Sequence, residues 1–309
     1  MSNVFEKEFD SIVSKAASLK NPIRCVVAGA DVENILQGVF MAEEAGFAYP
    51  LLVGNEERIK AMLQKFNLTD RKYQICSVGD DENVVQYAID MIHTGMADVL
   101  VRGNTPTRDF LMPILHKGNK LVKNEILSQV SLLKIPNYDR LIALSDVSVV
   151  IQPSIPQRKK IIANMVELLR LLGVETPNVA VLSLVEKPSF HMRDTVEAQT
   201  IVKNHEEFPI ANCNLVGPIT WDLIVSKEAA QLKNFDCDFC GEFDAICVPG
   251  VMAGNILMKA LQMSAEFNSC GIIVGEKVPI AISSRSVSKE QTYLSLATCA
   301  AALAAKGRK

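Results

Sequence analysis

Three glycine signatures that declare common α/β enzymes are missing from this 309-residue sequence. No G-x-x-x-x-G-K-[ST] loop occurs, which argues against a P-loop nucleotide hydrolase. The glycines of "AGADVENILQG" miss the G-x-G-x-x-G spacing of a dinucleotide-binding turn. No G-x-S-x-G elbow occurs either, which disfavours an α/β-hydrolase. No window reaches the ~18 uninterrupted apolar residues of a membrane span. The opening "MSNVFEKEFDSIVSKAASLK" carries charges through an amphipathic helical pattern where a signal peptide has an apolar core. A cytosolic protein without a membrane partner is the expectation. The formal net charge of −3 gives no general electrostatic grip on nucleic acid. His93, His116, His191 and His205 show no metal-ligand spacing. Of eight cysteines only Cys237 and Cys240 form a C-x-x-C pair, with no second pair or nearby histidine. Loop thiols are expected there, and small buried hydrophobes elsewhere.

What is present is a core and a rhythm. Hydrophobic residues make up 49% and charged residues 22%, the mix of a globular chain with one large or two medium domains. Short β-branched runs alternate with longer helical stretches. "RCVVAGA", "AYPLLVGN", "KYQICSV" and "ADVLVRG" read as strands separated by helices. The second half repeats this with "RLIALSD", "VSVVIQP", "NVAVLSLVE", "CNLVGPI", "FDAICVPG" and "CGIIVGEKVPIAIS". Such βαβ alternation means mostly parallel strands covered by helices. No Gly/Ser- or Pro-rich linker interrupts it. Two α/β domains are expected, residues 1–145 with 284–309 and residues 146–283, joined by short crossings.

Ligands of open α/β sheets bind outside the carboxyl ends of strands. The residues to inspect are therefore Gly29, Gly54, Arg102 to Asn104, Ser145 and Asp146, Glu186, Gly217 and Pro218, Pro249 and Gly250, and Ser283 to Arg285. In "VRGNTPTRD", Arg102 is followed by Gly103, which lets backbone approach a ligand, and by the hydroxyls of Thr105 and Thr107. The plainer reading is a βα turn with a Thr or Asp cap. In "AISSRSVSKEQTYLSLATCAAALAAK", Ser288 and Gln291 form a capping-box pattern ahead of an Ala- and Leu-rich helix. Ser284 and Arg285 stand just before it, where a helix N-terminus favours an anion and a guanidinium fork suits phosphate. The plainer reading is a capped surface helix with an unoccupied arginine.

From "VLVRGNTPTRDFLMPIL" to "SSRSVSKEQTYLSLA" the chain resembles the phosphate acetyltransferase and phosphate butyryltransferase family, and more the butyryl branch. Asp146, Pro153, Asn164, Gly173, Pro177 and Glu186 match one long family segment. Gly217, Pro218, Asp222 and Ser226 match a second, and "AGNILMKAL" a third. Arg102 stands where the butyryl branch usually has Lys. The resemblance implies a two-domain subunit with a dehydrogenase-like α/β fold (isocitrate or isopropylmalate type), an interdomain cleft, and a homodimer or higher homo-oligomer. It implies the reaction acyl-CoA plus phosphate giving acyl phosphate plus CoA, with butyryl or a similarly short acyl group. Coenzyme A would be a co-substrate, and no metal or tightly bound cofactor is implied. Ser284 and Arg285 carry over as the catalytic pair. Arg102, Gly103, Asn104, Thr105, Thr107, Asn255, Ser286 and Ser288 follow as phosphate and CoA binders. The acetyl branch has a basic Asp where this chain has Gln291, and the butyryl branch more often has Asp where it has Val287. Glu290 is the carboxylate left nearby, read either as the base or as a first-turn acid favoured by the helix dipole. Asp146 and Asp222 read equally as structural caps. Rival readings are a phosphate acetyltransferase, a non-catalytic homologue that binds CoA or acyl-CoA, and a pyridine-nucleotide-dependent hydroxyacid dehydrogenase with a metal-binding carboxylate cluster.

Overall fold

The structure is a computed structural model that describes residues 9–79, 83–123, 125–207, 210, 212–264, 267–282 and 288–307. The chain divides into two compact units, Met1–Glu125 with Cys270–Lys309, and Ile126–Ser269.

In the first unit, six strands are β1 (Ile23–Ala28), β2 (Ala48–Gly54), β3 (Gln74–Ser77), β4 (Val99–Arg102), β10 (Asn268–Val274) and β11 (Ile280–Ala281). They lie in the order β3-β2-β1-β4-β11-β10. All neighbours run parallel except β10 and β11, which form a hairpin. Helices α2 (Glu33–Glu44), α3 (Glu56–Lys65), α4 (Val84–His93) and α5 (Thr107–Leu115) supply the crossovers, and α1 (Asp10–Ala17) precedes them. The chain builds β1, β2 and β3 in one direction, then returns to add β4 on the other side of β1. The reversal leaves a crevice at the carboxyl ends of β1 and β4, where α/β sheets hold ligands.

The closing helix α11 (Lys289–Ala305) is buried on every side from Thr292 to Ala302. A helix apolar all round belongs inside a core. Two of its buried hydroxyls find partners there: Ser295 Oγ donates to Gln291 O at 2.8 Å and accepts from Gly271 N at 3.1 Å. Thr298 Oγ1 donates to Leu294 O at 2.8 Å. The small side chains let α2 approach closely. A Cβ on Gly38 of α2 would overlap the Lys289 carbonyl and meet Thr292 Cβ at 2.6 Å. Gly38 therefore sets the first turn of α11 against α2.

The second unit has five strands, β5 (Ser128–Lys134), β6 (Ile142–Ser145), β7 (Asn178–Leu182), β8 (Asn214–Ile219) and β9 (Ala245–Cys247). Their order is β5-β6-β9-β7-β8, with β5 antiparallel to β6 and the rest parallel. Helices α6 (Ile155–Leu172), α7 (Arg193–Glu207), α8 (Trp221–Val225), α9 (Lys227–Leu232) and α10 (Val251–Leu261) connect them.

Several sequence expectations change at this level. The crossings at 145 and 283 move to 125 and 269. Strand β6 pairs with β9 from Ala143 to Ser145, so the β5–β6 hairpin goes with the second unit. "VSVVIQP" is not a strand. Its first N–H groups turn onto the Asp146 carboxylate, which accepts from Ser148 at 3.0 Å, Val149 at 3.2 Å and Val150 at 2.8 Å. "TWDLIVSKEAAQL" is two helices, because Ser226 is extended and caps α9 by accepting from Ala229 N at 3.1 Å. All eight cysteines are free thiols, and only Cys237 is not buried.

Replacing Gly38 with Ala is expected to lower stability by about 1–3 kcal/mol, because backbone must shift to admit one methyl. Urea denaturation measures it; an unchanged midpoint would mean α2 and α11 are not seated as described.

Candidate active site

At the crevice of the first unit two glycines interlock. The N–H of Gly103 donates to Ala28 O at 3.0 Å, and that of Asn104 to Gly29 O at 2.7 Å. A Cβ on Gly103 would overlap the Gly29 carbonyl and lie 2.7 Å from Ala28 O. Gly29 has φ +82°, a conformation glycine adopts without penalty, and a Cβ there would meet Asn104 N at 3.0 Å. The glycine requirement at 103 thus comes from the chain's own backbone, where the sequence suggested close approach of a ligand.

Arg102, the last residue of β4, is buried. Its Nε and Nη2 both donate to Thr105 O, at 3.0 and 2.8 Å. The guanidinium fork so clamps the turn leading to α5, with part of its hydrogen-bonding capacity directed at the chain itself. Thr105 is buried, and its Oγ1 has no hydrogen-bond partner among the described residues. Asn104 and Thr107 are exposed. Helix α5 starts at Thr107 after Pro106, without any side-chain cap. The expected Thr or Asp cap is absent from its N-terminus, which leaves that end its positive polarity.

Strand β11 runs parallel beside β4, with Ala281 opposite Val101. The carboxyl end of β11 therefore arrives next to Arg102. Ser284, Arg285, Ser286 and Val287 lie outside the described residues. The described chain resumes at Ser288, the cap of α11. Ser288 Oγ accepts from Gln291 N at 3.3 Å while Gln291 Oε1 accepts from Ser288 N at 3.2 Å. The capping box read from the sequence is present, and it commits the Gln291 amide oxygen to the helix end. Glu290 is half-buried in the same first turn.

Other residues singled out in the sequence belong to the second unit and have structural work there. Asp146 is buried and accepts, besides the three N–H groups above, Gln129 N at 3.1 Å. Burial pushes its pKa up, and the backbone donors pull against that. Asn255 Nδ2 donates to Val147 O at 3.2 Å, which ties α10 to the same turn. Asn164 Nδ2 donates to Ile126 O at 3.1 Å. Glu186 and Asp222 share Lys233, whose Nζ lies 2.8 Å from Glu186 Oε1 and 2.9 Å from Asp222 Oδ2. Lys233 is the chief reason that Glu186 lies below the usual carboxylate range. Asp222 is lowered first by Thr220, whose Oγ1 is 2.6 Å from Asp222 Oδ1, and then by Lys233. Among the described residues no group of three or more His, Cys, Asp or Glu side chains is arranged to hold a metal. Burial raises Cys240 to about 12, so this thiol of the C-x-x-C pair is held protonated at neutral pH.

The model of the family described as "Phosphate acetyl/butaryl transferase" matches residues 81–300. The chain belongs to this family. Its match takes in β4, the Arg102 turn, the whole second unit and most of α11. A probable phosphate butyryltransferase of Bacillus subtilis is 32% identical, covering 93% of this chain and 95% of that one. The phosphate butyryltransferase of Clostridium acetobutylicum is 29% identical, covering 95% and 97%. The crystal structure of a branched-chain phosphotransacylase from Enterococcus faecalis superposes with a TM-score of 0.81 at 27% identity, covering 91% of this chain and 99% of that one. The expected family and the mostly parallel α/β fold thus agree with these comparisons.

Proposed function

We propose that this member of the phosphate acetyl/butyryl transferase family moves a butyryl or similarly short acyl group between coenzyme A and inorganic phosphate. The supporting observation is the parallel pairing of β11 with β4, which ends both strands side by side just before the cap of α11. In this reading phosphate is received at those strand ends by Arg285, with Ser284 and Ser286 as neighbouring donors. Helix N-termini and a guanidinium favour the same anion there, and they remain in place as charge redistributes. Arg102, held by Thr105, places fixed positive charge behind the pocket. The hydroxyls of Thr105, Thr107 and Ser288 and the side-chain amide of Asn104 are the further polar groups of that end.

In the forward reaction a phosphate oxygen attacks the thioester carbonyl. The tetrahedral oxyanion takes a hydrogen bond from Ser284, the C–S bond breaks, and CoA leaves as a thiolate that then gains a proton. In the reverse reaction the CoA thiol loses its proton before attacking the acyl phosphate. Glu290 is the proposed acceptor: it is half-buried in the first turn of α11, a few residues after Arg285 in the sequence, while Gln291 serves the helix cap. Screening the repulsion between two anionic partners is the main task of the arginine.

The protein acts in the cytoplasm, a placement supported by eight free thiols suited to a reducing compartment. No described helix is long and apolar enough to cross a membrane. A homodimer is supported by α10, where Met252 and Ile256 stand one turn apart and are 77% and 63% exposed. Light scattering at micromolar concentration is expected to give twice the chain's mass; a single chain's mass contradicts the dimer.

Purified protein mixed with butyryl-CoA and phosphate is expected to release thiol, followed with a chromogenic disulfide. Acetyl-CoA in the same assay separates the two branches, and CoA binding without turnover would support the non-catalytic reading. Arg285→Ala should raise the phosphate KM by about tenfold or more, the loss of one charge-assisted contact. Unchanged phosphate kinetics would overturn that assignment. Unchanged turnover of Glu290→Gln at neutral pH would remove Glu290 as the base.

A further inference from the structure

Between α9 and β9 the chain makes an irregular loop, "NFDCDFCGEFD", that lies wholly within the second unit. Neither of its thiols takes part in the proposed acyl transfer. The loop is tied down at its far end, where Gly241 N donates to Ile224 O at 3.1 Å and Glu242 N to Phe239 O at 2.8 Å. Gly241 has φ +77°, and a Cβ there would meet Lys227 N at 3.0 Å, so the loop presses against the start of α9. This packing sends Cys240 inward, 2% exposed in one core cluster with Leu223, Ile224 and Phe243. Cys237 stays on the outer side, and it alone of the eight cysteines is not buried. The two sulfurs are still within hydrogen-bonding reach of each other. Both residues line a cavity of about 480 Å³, with Asp236 and Asp238 beside them.

An outer thiol that meets a reagent and an inner thiol that meets only the outer one are the two parts of thiol–disulfide exchange. From this we infer that Cys237 and Cys240 are a reversible modification site, closed to a disulfide by a small uncharged disulfide compound. Cys237, as its thiolate, attacks one sulfur of the reagent. The reagent S–S bond breaks, a mixed disulfide forms on Cys237, and one reagent thiolate leaves and takes up a proton. Cys240 then gives up its proton, attacks Cys237 Sγ and displaces the second reagent thiol. Two protein thiols are oxidised while one reagent disulfide is reduced to two thiols.

Burial, and next the charge of the Cys237 sulfur, hold the proton on Cys240 in the resting pair. A mixed disulfide removes that charge, so the first step eases the second. Asp236 and Asp238 are exposed on either side of Cys237 and repel an anionic reagent. The other six cysteines are buried and give the reagent no such entry. In a reducing compartment a pair of this kind rests as the dithiol and closes only when small disulfides accumulate.

The test equilibrates the intact protein with 2-hydroxyethyl disulfide near neutral pH, quenches in acid, counts thiols after denaturation and maps peptides by mass. Two of the eight thiols are expected to disappear, with the bond mapping to Cys237 and Cys240. The mass should fall by about 2 Da, and dithiothreitol should restore both thiols. Cys237→Ser, at a partly exposed loop position, should keep every remaining thiol. Cys240→Ser should stop at one mixed disulfide on Cys237. Oxidised glutathione, an anion, should close the wild-type pair more slowly by about threefold or more. Retention of all wild-type thiols, a wild-type protein that stops at the mixed disulfide, or an equal thiol loss in Cys237→Ser would each overturn the site. Faster closure by oxidised glutathione would overturn the class of reagent.

Discussion

No side chain fits at Gly103, because the carbonyls that end β1 already occupy its Cβ direction. That exclusion draws the ends of β1 and β4 together and fixes the turn between β4 and α5. Arg102 then donates twice to the Thr105 carbonyl and holds the turn from the other side. Strand β11 completes the arrangement by pairing with β4 rather than extending the sheet at its free edge. A second glycine, Gly38, settles where the following helix begins. The geometry of the first unit's strand ends depends on these two places where backbone meets backbone.

The strand ends of the two units differ in their local charge. In the first, an uncapped helix start at α5, a buried arginine and the capped start of α11 favour anions. In the second, the residues past β7 and β8 present carboxylates tied to one lysine. Among the described residues no metal-binding cluster is formed.

The fold was legible where local pattern and tertiary packing agree. The βα rhythm, the Ser288–Gln291 cap and the small residues of α11 all announce themselves within a few positions. Reading failed where a long-range contact decides. "VSVVIQP" has strong strand propensity, yet the Asp146 carboxylate collects the N–H groups that a strand would need. Strand β5 went unread because its pairing partner lies beyond a loop, although "SQVSLL" carries an apolar alternation that offered a signal. The domain boundaries shifted for the same reason, since β6 pairs with β9 about a hundred residues later. At the site, Arg102 and the need for glycine at 103 were visible as residue types, but their partners were not. Lys233 belongs to no motif, and its contact with Glu186 spans 47 residues.

The central claim is that the ends of β4 and β11 form a phosphate pocket at the mouth of α11. A crystal structure of the protein soaked with inorganic phosphate and CoA addresses it directly. The account predicts phosphate density within hydrogen-bond distance of the Arg285 guanidinium and beside the Thr105–Thr107 turn. Phosphate bound elsewhere, with Arg285 directed into bulk solvent, would contradict it.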